Sequence, residues 1–177
     1  EEVSEEELLA AVKRAHELAI RAGNRSTQSR TELLLGRLVG GKEGIEHAER
    51  SLELARATGD RRGARESMRF LAELLFVHEP ARIDETFDLL DESIEDSRQT
   101  GNLESLALGL VGRARLLATS GGRQDWIDAY HAAIEAVEKI RDLQPDGTVG
   151  ARLFSRWPAA SDATLTALAW LDPILLG

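Results

Sequence analysis

Four histidines are the first residues to consider in this 177-residue chain, because imidazole can serve acid–base or metal chemistry and the chain has no cysteine. They are His16, His47, His78 and His131. No two stand four positions apart, so the spacing that places two zinc ligands on one helix face is missing. We interpret them as surface or interhelical histidines and predict no metal site. His131, beside Tyr130, is the candidate for a buried hydrogen-bonded pair.

A run of carboxylates between residues 82 and 100 has the residue types of a hydrolase dyad or a calcium site. Its members are Asp84, Glu85, Asp88, Asp91, Glu92, Glu95 and Asp96. They fall largely away from the apolar positions Ile83, Phe87, Leu90 and Ile94. The pattern therefore favours a solvated outer face of a helix.

The segment Gly40-Gly41-Lys42 has only the composition of a phosphate-binding loop. It follows a predicted helix, lacks the full spacing, and has Glu43 where a hydroxyl belongs, so it indicates a turn. Elsewhere, no nucleophile, base and orienting group stand at spacings that suggest a catalytic site. The sequence therefore predicts a protein that is not an enzyme and uses no cofactor.

The net charge of −9 limits the class of partner. Duplex nucleic-acid binders neutralise phosphates with a basic surface, so we expect no nucleic-acid partner. No stretch approaches the roughly 20 apolar residues that cross a bilayer, and the Glu-rich residues 1–7 lack the features of a signal peptide. Together with the absence of cysteine, this predicts a cytoplasmic protein with no membrane partner. The excess of arginine over lysine suggests a bacterial source.

Helices must position these residues, because apolar side chains recur at intervals of three and four and no strand pattern competes. We predict an all-α fold with helices at about 4–22, 25–39, 43–58, 61–77, 82–100, 103–119, 124–142, 148–157 and 162–171. Several breaks contain Gly-Asn or Gly-Asp. A glycine followed by a capping side chain is typical of a tight turn between helices.

Three of these breaks recur along the chain. Gly23, Gly59 and Gly101 are separated by 36 and 42 residues, and a small residue lies 13 positions after each glycine. The small residues are Gly36, Ala72 and Ala114. Since side-chain size at the contact sets the distance between helices, these positions predict close helix crossings.

From residue 29 to 62 the chain resembles a tetratricopeptide repeat, a family with a period of about 34 residues. Leu35-Gly36 and then Ala48, Leu52 and Ala55 stand at that family's offsets. The resemblance implies antiparallel helix hairpins stacked as a right-handed α–α superhelix. It also implies one domain over 1–177, with repeats near 25–60, 61–101 and 102–143 and C-terminal helices at 148–171. Helix 4–22 would be the second helix of a repeat, and we expect a fragment of a longer protein.

A second resemblance covers residues 125–157. The run from Ala132 to Arg141 and the segment Arg152-Leu153-Phe154 are similar to the repeat arrays that precede bacterial CHAT protease domains, relatives of caspases and separase. It implies a protease beyond Gly177, and no activity carries over to a chain without cysteine. Two functions stay open: a non-catalytic protein–protein interaction scaffold or sensor array of a larger bacterial protein, or a free-standing regulator that binds a peptide or small effector.

In tetratricopeptide solenoids the first helix of each repeat lines a concave groove. The resemblance places five charged residues toward it: Arg30, Arg37, Arg69, Glu73 and Arg115. They are the predicted binding site, in which arginine would grip the carboxylates of an acidic or carboxylate-ended peptide. The alternative is that the arginines pair along and between helices with Glu32, Glu66 and Glu73.

Residues 167–176 are strongly apolar around Trp170. Such a stretch at the end of a solenoid needs cover from a further domain, a second copy or the preceding helices. The sequence therefore leaves open a homo-oligomer formed through the C-terminus. Trp126 and Trp157 are interpreted as packing residues, because large aromatics dominate contacts between helices.

Overall fold

A computed structural model describes residues 4–120 and 123–143 of the chain, and these residues form seven α-helices and no strand. The helices are α1 (Glu5–Arg21), α2 (Arg25–Val39), α3 (Gly41–Thr58), α4 (Arg61–His78), α5 (Ile83–Gln99), α6 (Leu103–Ser120) and α7 (Arg123–Leu143), with a 3₁₀ turn at Pro80–Arg82 before α5. The all-α prediction is confirmed, and every helix bound predicted between residues 4 and 142 lies within two residues of the observed one.

Some predictions concern parts of the chain that the structure leaves undescribed. The helices at 148–157 and 162–171 are among them, as is the apolar C-terminus. The interpretations of Trp126, Trp157 and Trp170 also fall outside the described side chains.

Local capping explains why the helices begin where they do. The side chains of Asn24, Asp60 and Asn102 each accept a hydrogen bond from a backbone N–H three residues later. Each cap therefore satisfies one of the amides that have no partner inside the helix. Gly59, with φ +70°, ends α3 in the left-handed conformation that glycine adopts without steric cost.

Consecutive helices pack against one another from α1 to α7, and α4 also contacts α2 and α6. The predicted small residues lie at these contacts: Gly36 is buried, and Ala72 and Ala114 are at most 2% exposed. A Cβ on Gly44 would come within 2.9 Å of the Gly36 carbonyl oxygen, so α2 and α3 cross with their backbones almost touching. None of the helices in the described ranges is long and apolar enough to span a bilayer.

Three buried serines connect α2, α3 and α4. Ser29 and Ser51 each donate to the other's backbone carbonyl, at 2.9 and 2.8 Å, and the Ser51 and Ser67 hydroxyls lie 2.8 Å apart. All three residues are at most 1% exposed. These hydrogen bonds satisfy polar groups that would be costly to bury alone, and they orient the three helices relative to one another.

Candidate functional site

The arginines of α3 to α6 fall into two groups according to their partners. Eight of them form an ion pair with a carboxylate: Arg50, Arg56, Arg61, Arg62, Arg65, Arg82, Arg98 and Arg113. Arg69 and Arg115 form none within 4.0 Å among the described residues, and both belong to the predicted site. Most arginines of α3 to α6 therefore have a carboxylate partner, within their own helix or on a neighbouring one, and two have none.

Asp96 of α5 is the centre of the paired group. Its Oδ1 accepts from Arg61 Nε at 2.7 Å, and its Oδ2 accepts from Arg65 Nη1, which links α5 to α4. Burial raises the pKa of Asp96, but the hydrogen bonds from Arg65 and Arg61 outweigh burial and leave the pKa below its usual value. We call Arg61, Arg65, Asp96, Arg56 and Glu92 the ion-paired flank.

Most of the carboxylates on α5 are exposed, as the sequence pattern indicates, and several of them also meet arginines of neighbouring helices. Glu92 accepts from Arg56 of α3 at 2.5 Å, and Asp91 accepts from Arg113 of α6 at 2.6 Å. The side chains of Asp91 and Glu92 remain more than half exposed, so the outer face is solvated but also carries ion pairs between helices. The spacing on α5 showed that they avoid the apolar face, but it did not show the arginines that meet them from neighbouring helices.

Arg69 lies near Arg37 of α2, for which the described residues likewise show no ion pair. The Arg37 guanidinium lies 5.7 Å from the centre of the Phe70 ring, which joins α2 to α4 through a cation–π contact. The pKa of Arg69 is lowered to about 10, mainly by burial; the neighbouring cations Arg65 and Arg37 also lower it, while Glu66 and Glu104 oppose them. Arg69 Nη1 is buried and has no hydrogen-bond partner.

Arg37 and Arg69 lie close enough for their charges to repel each other. The other three residues of the predicted site lie apart from this pair. Arg30 is exposed on α2, two turns before Arg37, and Arg115 is exposed on α6. Glu73 is exposed one turn after Arg69, and no ion pair joins the two. The part of the predicted site supported by contacts is thus the Arg37–Phe70–Arg69 cluster.

The alternative pairing of these arginines does not occur. Glu32 is bound instead by His16, His47 and Arg50, with His47 Nδ1 2.6 Å from Glu32 Oε2. Glu66 is bound by Arg62, one turn earlier on α4, at 3.2 Å. Glu32 and Glu66 are therefore held by other cations, and Glu73 forms no ion pair among the described residues.

Glu32 is the one buried carboxylate of the described residues, and it ties three helices together. His16 comes from α1 and His47 from α3, so the Glu32 side chain of α2 bridges its two neighbours. His16 Nδ1 also lies 2.8 Å from Thr31 Oγ1. Sequence spacing gives no signal for this cluster, because its members are about 15 residues apart and their meeting depends on how the helices pack.

Thr31, His16 and Glu32 have the residue types of a nucleophile, a base and an orienting group. Thr31, however, is 5% exposed, and its hydroxyl lies 2.9 Å from the backbone carbonyls of Thr27 and Gln28. Because its proton is bound inside its own helix and no substrate can reach it, the arrangement is structural. No group of three or more His, Cys, Asp or Glu that could hold a metal ion occurs among the described residues.

The expected burial of His131 is wrong. His131 is exposed, whereas Tyr130 is 7% exposed. Adjacent residues on a helix point about 100° apart, so Tyr130 facing α6 turns His131 toward solvent. The hydrogen-bonded histidines between helices are instead His16 and His47, whose side chains are 18% and 15% exposed.

Two surface grooves lie beside α5. One, of about 420 Å³, is bounded by the ion-paired flank between α3 and α5. The other, of about 800 Å³, lies between α5 and α7 and is lined by Asp91, Arg98, Arg113 and Asp128. Both have mixed charge, and neither includes Arg37 or Arg69, so the unpaired arginines belong to a separate surface.

Comparisons of the chain with models of known protein families, with curated proteins and with solved structures find no match. Function is therefore inferred from the chemistry of the surfaces described above. The Arg37–Phe70–Arg69 cluster offers two guanidinium groups and an aromatic ring to a ligand. Guanidinium groups of this kind recognise carboxylates by paired hydrogen bonds.

Proposed function

We propose that the chain is a tetratricopeptide-like interaction module that catalyses no reaction and binds an acidic or carboxylate-ended peptide at the Arg37–Phe70–Arg69 cluster. The main observation behind this proposal is that eight arginines of α3 to α6 form an ion pair with a carboxylate. Among the described residues, Arg69 and Arg115 form none. The contacts of α4 with α2 and α6 support a shared surface formed by alternate helices.

A peptide carboxylate would improve the environment of Arg69. Its buried Nη1 has no acceptor, and a buried donor without a partner costs about 1–3 kcal/mol. An incoming carboxylate would offset the repulsion between Arg69 and Arg37, and a small shift of the Arg69 side chain would let it accept from this nitrogen. Phe70 keeps Arg37 in place before the ligand arrives, which reduces the entropy lost on binding.

Isothermal titration calorimetry with a short Asp/Glu-rich peptide ending in a free carboxylate tests the proposal. The double variant Arg37→Glu/Arg69→Glu should bind at least about tenfold more weakly, because it replaces two attractive charges with two repulsive ones. Arg98→Glu is the matched control, since Arg98 is an exposed arginine of α5 outside the cluster. Its affinity should stay within about twofold of wild type.

Peptide chemistry provides the second control. An Asn/Gln version of the same peptide and a version with an amidated C-terminus should separate side-chain from terminal carboxylate recognition. Equal affinity of wild type and the double variant for every peptide would discard the cluster as a binding site.

The same surface suits both biological settings that the sequence suggests. In a larger bacterial protein, including one with a CHAT protease, it would recruit or sense a partner. In a free-standing regulator, ligand binding across α2 and α4 would alter how these helices pack. The full-length reading frame distinguishes the two settings.

A further inference from the structure

Helix α1 carries one broad apolar face, and the described helices cover only one edge of it. Val12 and Ala19 are at most 8% exposed and lie on the edge that packs against α2. Along the other edge, Leu8 is 45% exposed and Leu18 is 57% exposed.

The exposed leucines belong to a regular pattern. Leu8, Ala11, Ala15 and Leu18 follow one another at intervals of three, four and three residues, and all four are exposed. We call these residues the α1 stripe. An alternation of three and four is the spacing of a coiled-coil seam, so the four side chains share one face of the helix.

Neighbouring helices show how such a face is normally covered in this fold. Helix α3 packs against both α2 and α4, and α5 packs against both α4 and α6. In the described part of the chain, the substantial packing of α1 is against α2 alone. The α1 stripe is thus an apolar surface of the kind that another helix occupies.

The stripe is complementary to itself. Its order is Leu-Ala-Ala-Leu, and it reads the same in both directions about a centre at Lys13. In an antiparallel pair, Leu8 of one copy would face Leu18 of the other, and Ala11 would face Ala15. The large residues would meet at the two ends, while the alanines would allow close approach in the middle.

Charge favours the antiparallel arrangement over the parallel one. The first turn of α1 is acidic, with Glu5, Glu6 and Glu7, and Arg21 stands in its last turn. An antiparallel pair places each acidic first turn beside the basic end of the other copy and also aligns the helix dipoles favourably. A parallel pair would place the acidic turns side by side.

From these observations we infer that the α1 stripe binds a second copy of this chain as an antiparallel, two-fold symmetric helix pair. One repulsive contact opposes it, since Arg14 flanks the centre and would approach its own copy. A single helix face is also smaller than the surface buried in stable complexes, which runs to about 1,200–2,000 Å² in total. The dimer is therefore expected to be weak and dependent on concentration.

Sedimentation of the full chain over a range of concentrations tests the dimer. Leu18→Glu should weaken it at least about tenfold, because the pair would bury a charge without a partner. Ile20→Glu is the matched control: Ile20 is 55% exposed on the same turn but lies off the stripe, so this variant should dimerise like wild type. Circular dichroism should show equal helix content in all three proteins.

The absence of cysteine permits a test of direction. In the antiparallel pair, Leu8 of one copy lies about 15 Å along the axis from Leu8 of the other, too far for a disulfide. Leu8→Cys and Leu18→Cys should therefore not cross-link alone under mild oxidation, whereas an equimolar mixture should.

Three results would overturn the inference. The wild-type chain could remain monomeric at all concentrations, which would leave the stripe to a different helix. Dimerisation could survive Leu18→Glu or be lost equally in Ile20→Glu, which would place the contact elsewhere, for example in the apolar C-terminus. Cross-linking of Leu8→Cys with itself would indicate a parallel pair.

Discussion

Arg65 and Arg69 lie one turn apart on α4, yet they have opposite environments. Arg65 binds Asp96 in the ion-paired flank and is 5% exposed. Both arginines have a buried nitrogen without a hydrogen-bond partner, Nε in Arg65 and Nη1 in Arg69, but Arg69 forms no ion pair among the described residues. The charges near Arg69 are mixed, with Arg65 and Arg37 on one side of the balance and Glu66 and Glu104 on the other. Removing one partner of a buried ion pair leaves a charge without compensation, so the Arg65–Asp96 pair fixes how α4 and α5 pack. Arg69 makes no such pair, which is why the proposed recognition site includes it.

The matched substitutions Arg65→Met and Arg69→Met test this difference most strongly. Arg65→Met should reduce the free energy of unfolding by about 2 kcal/mol, because Asp96 loses its buried partner and keeps only the exposed Arg61. Arg69→Met should change it by less than about 0.5 kcal/mol or increase it, since it removes an unsatisfied donor without taking an ion-pair partner from any carboxylate. Urea unfolding followed by circular dichroism measures both. A larger loss for Arg69→Met than for Arg65→Met would contradict the comparison.

Acid should weaken the ion-paired flank. The folded pKa of Asp96 is lowered, so its charged interactions stabilise the fold above the unfolded pKa of about 3.9 and are lost as the pH falls through the folded pKa. The stability difference between wild type and Asp96→Asn should therefore be constant from about pH 5 to 7 and shrink below about pH 4. Urea unfolding at several pH values checks this. A difference that persists unchanged at the lowest pH would exclude the charge of Asp96 as its source.

The smallest effect is expected at the exposed end of the same flank. The Arg56 and Glu92 side chains are 50% and 54% exposed, so water screens their attraction. Glu92→Gln should reduce the free energy of unfolding by no more than about 0.5 kcal/mol. Thermal unfolding of this variant beside Asp96→Asn measures the contrast, and comparable losses would mean that burial does not separate the two pairs.

The helices and their turns could be predicted from the sequence because the responsible interactions are local. Asp60 caps α4 through an amide three residues away, and Gly59 ends α3 through its own backbone conformation. The start of α3 was placed two residues late, at 43 instead of Gly41. The segment Gly40-Gly41-Lys42 was interpreted as a turn, whereas α2 and α3 are separated by Gly40 alone.

The candidate site could be predicted only in part. The positions of Arg37 and Arg69 on α2 and α4 follow from helical period and from the resemblance to tetratricopeptide repeats. Their lack of carboxylate partners does not, because it depends on where Glu32 and Glu66 find other cations. The partners of His16 and His47 also depend on how helices pack. For this reason the sequence favoured His131, beside Tyr130, as the hydrogen-bonded histidine.

By itself, the sequence determined where helices begin and end and which residues could lie in close crossings, since both depend on neighbours within a few positions. Only the tertiary structure decided which charges meet. Arg61 and Asp96 are 35 residues apart, and His47 and Glu32 are 15 apart. Such pairs form when whole helices pack, and packing follows the shape of many side chains together, which no local pattern contains.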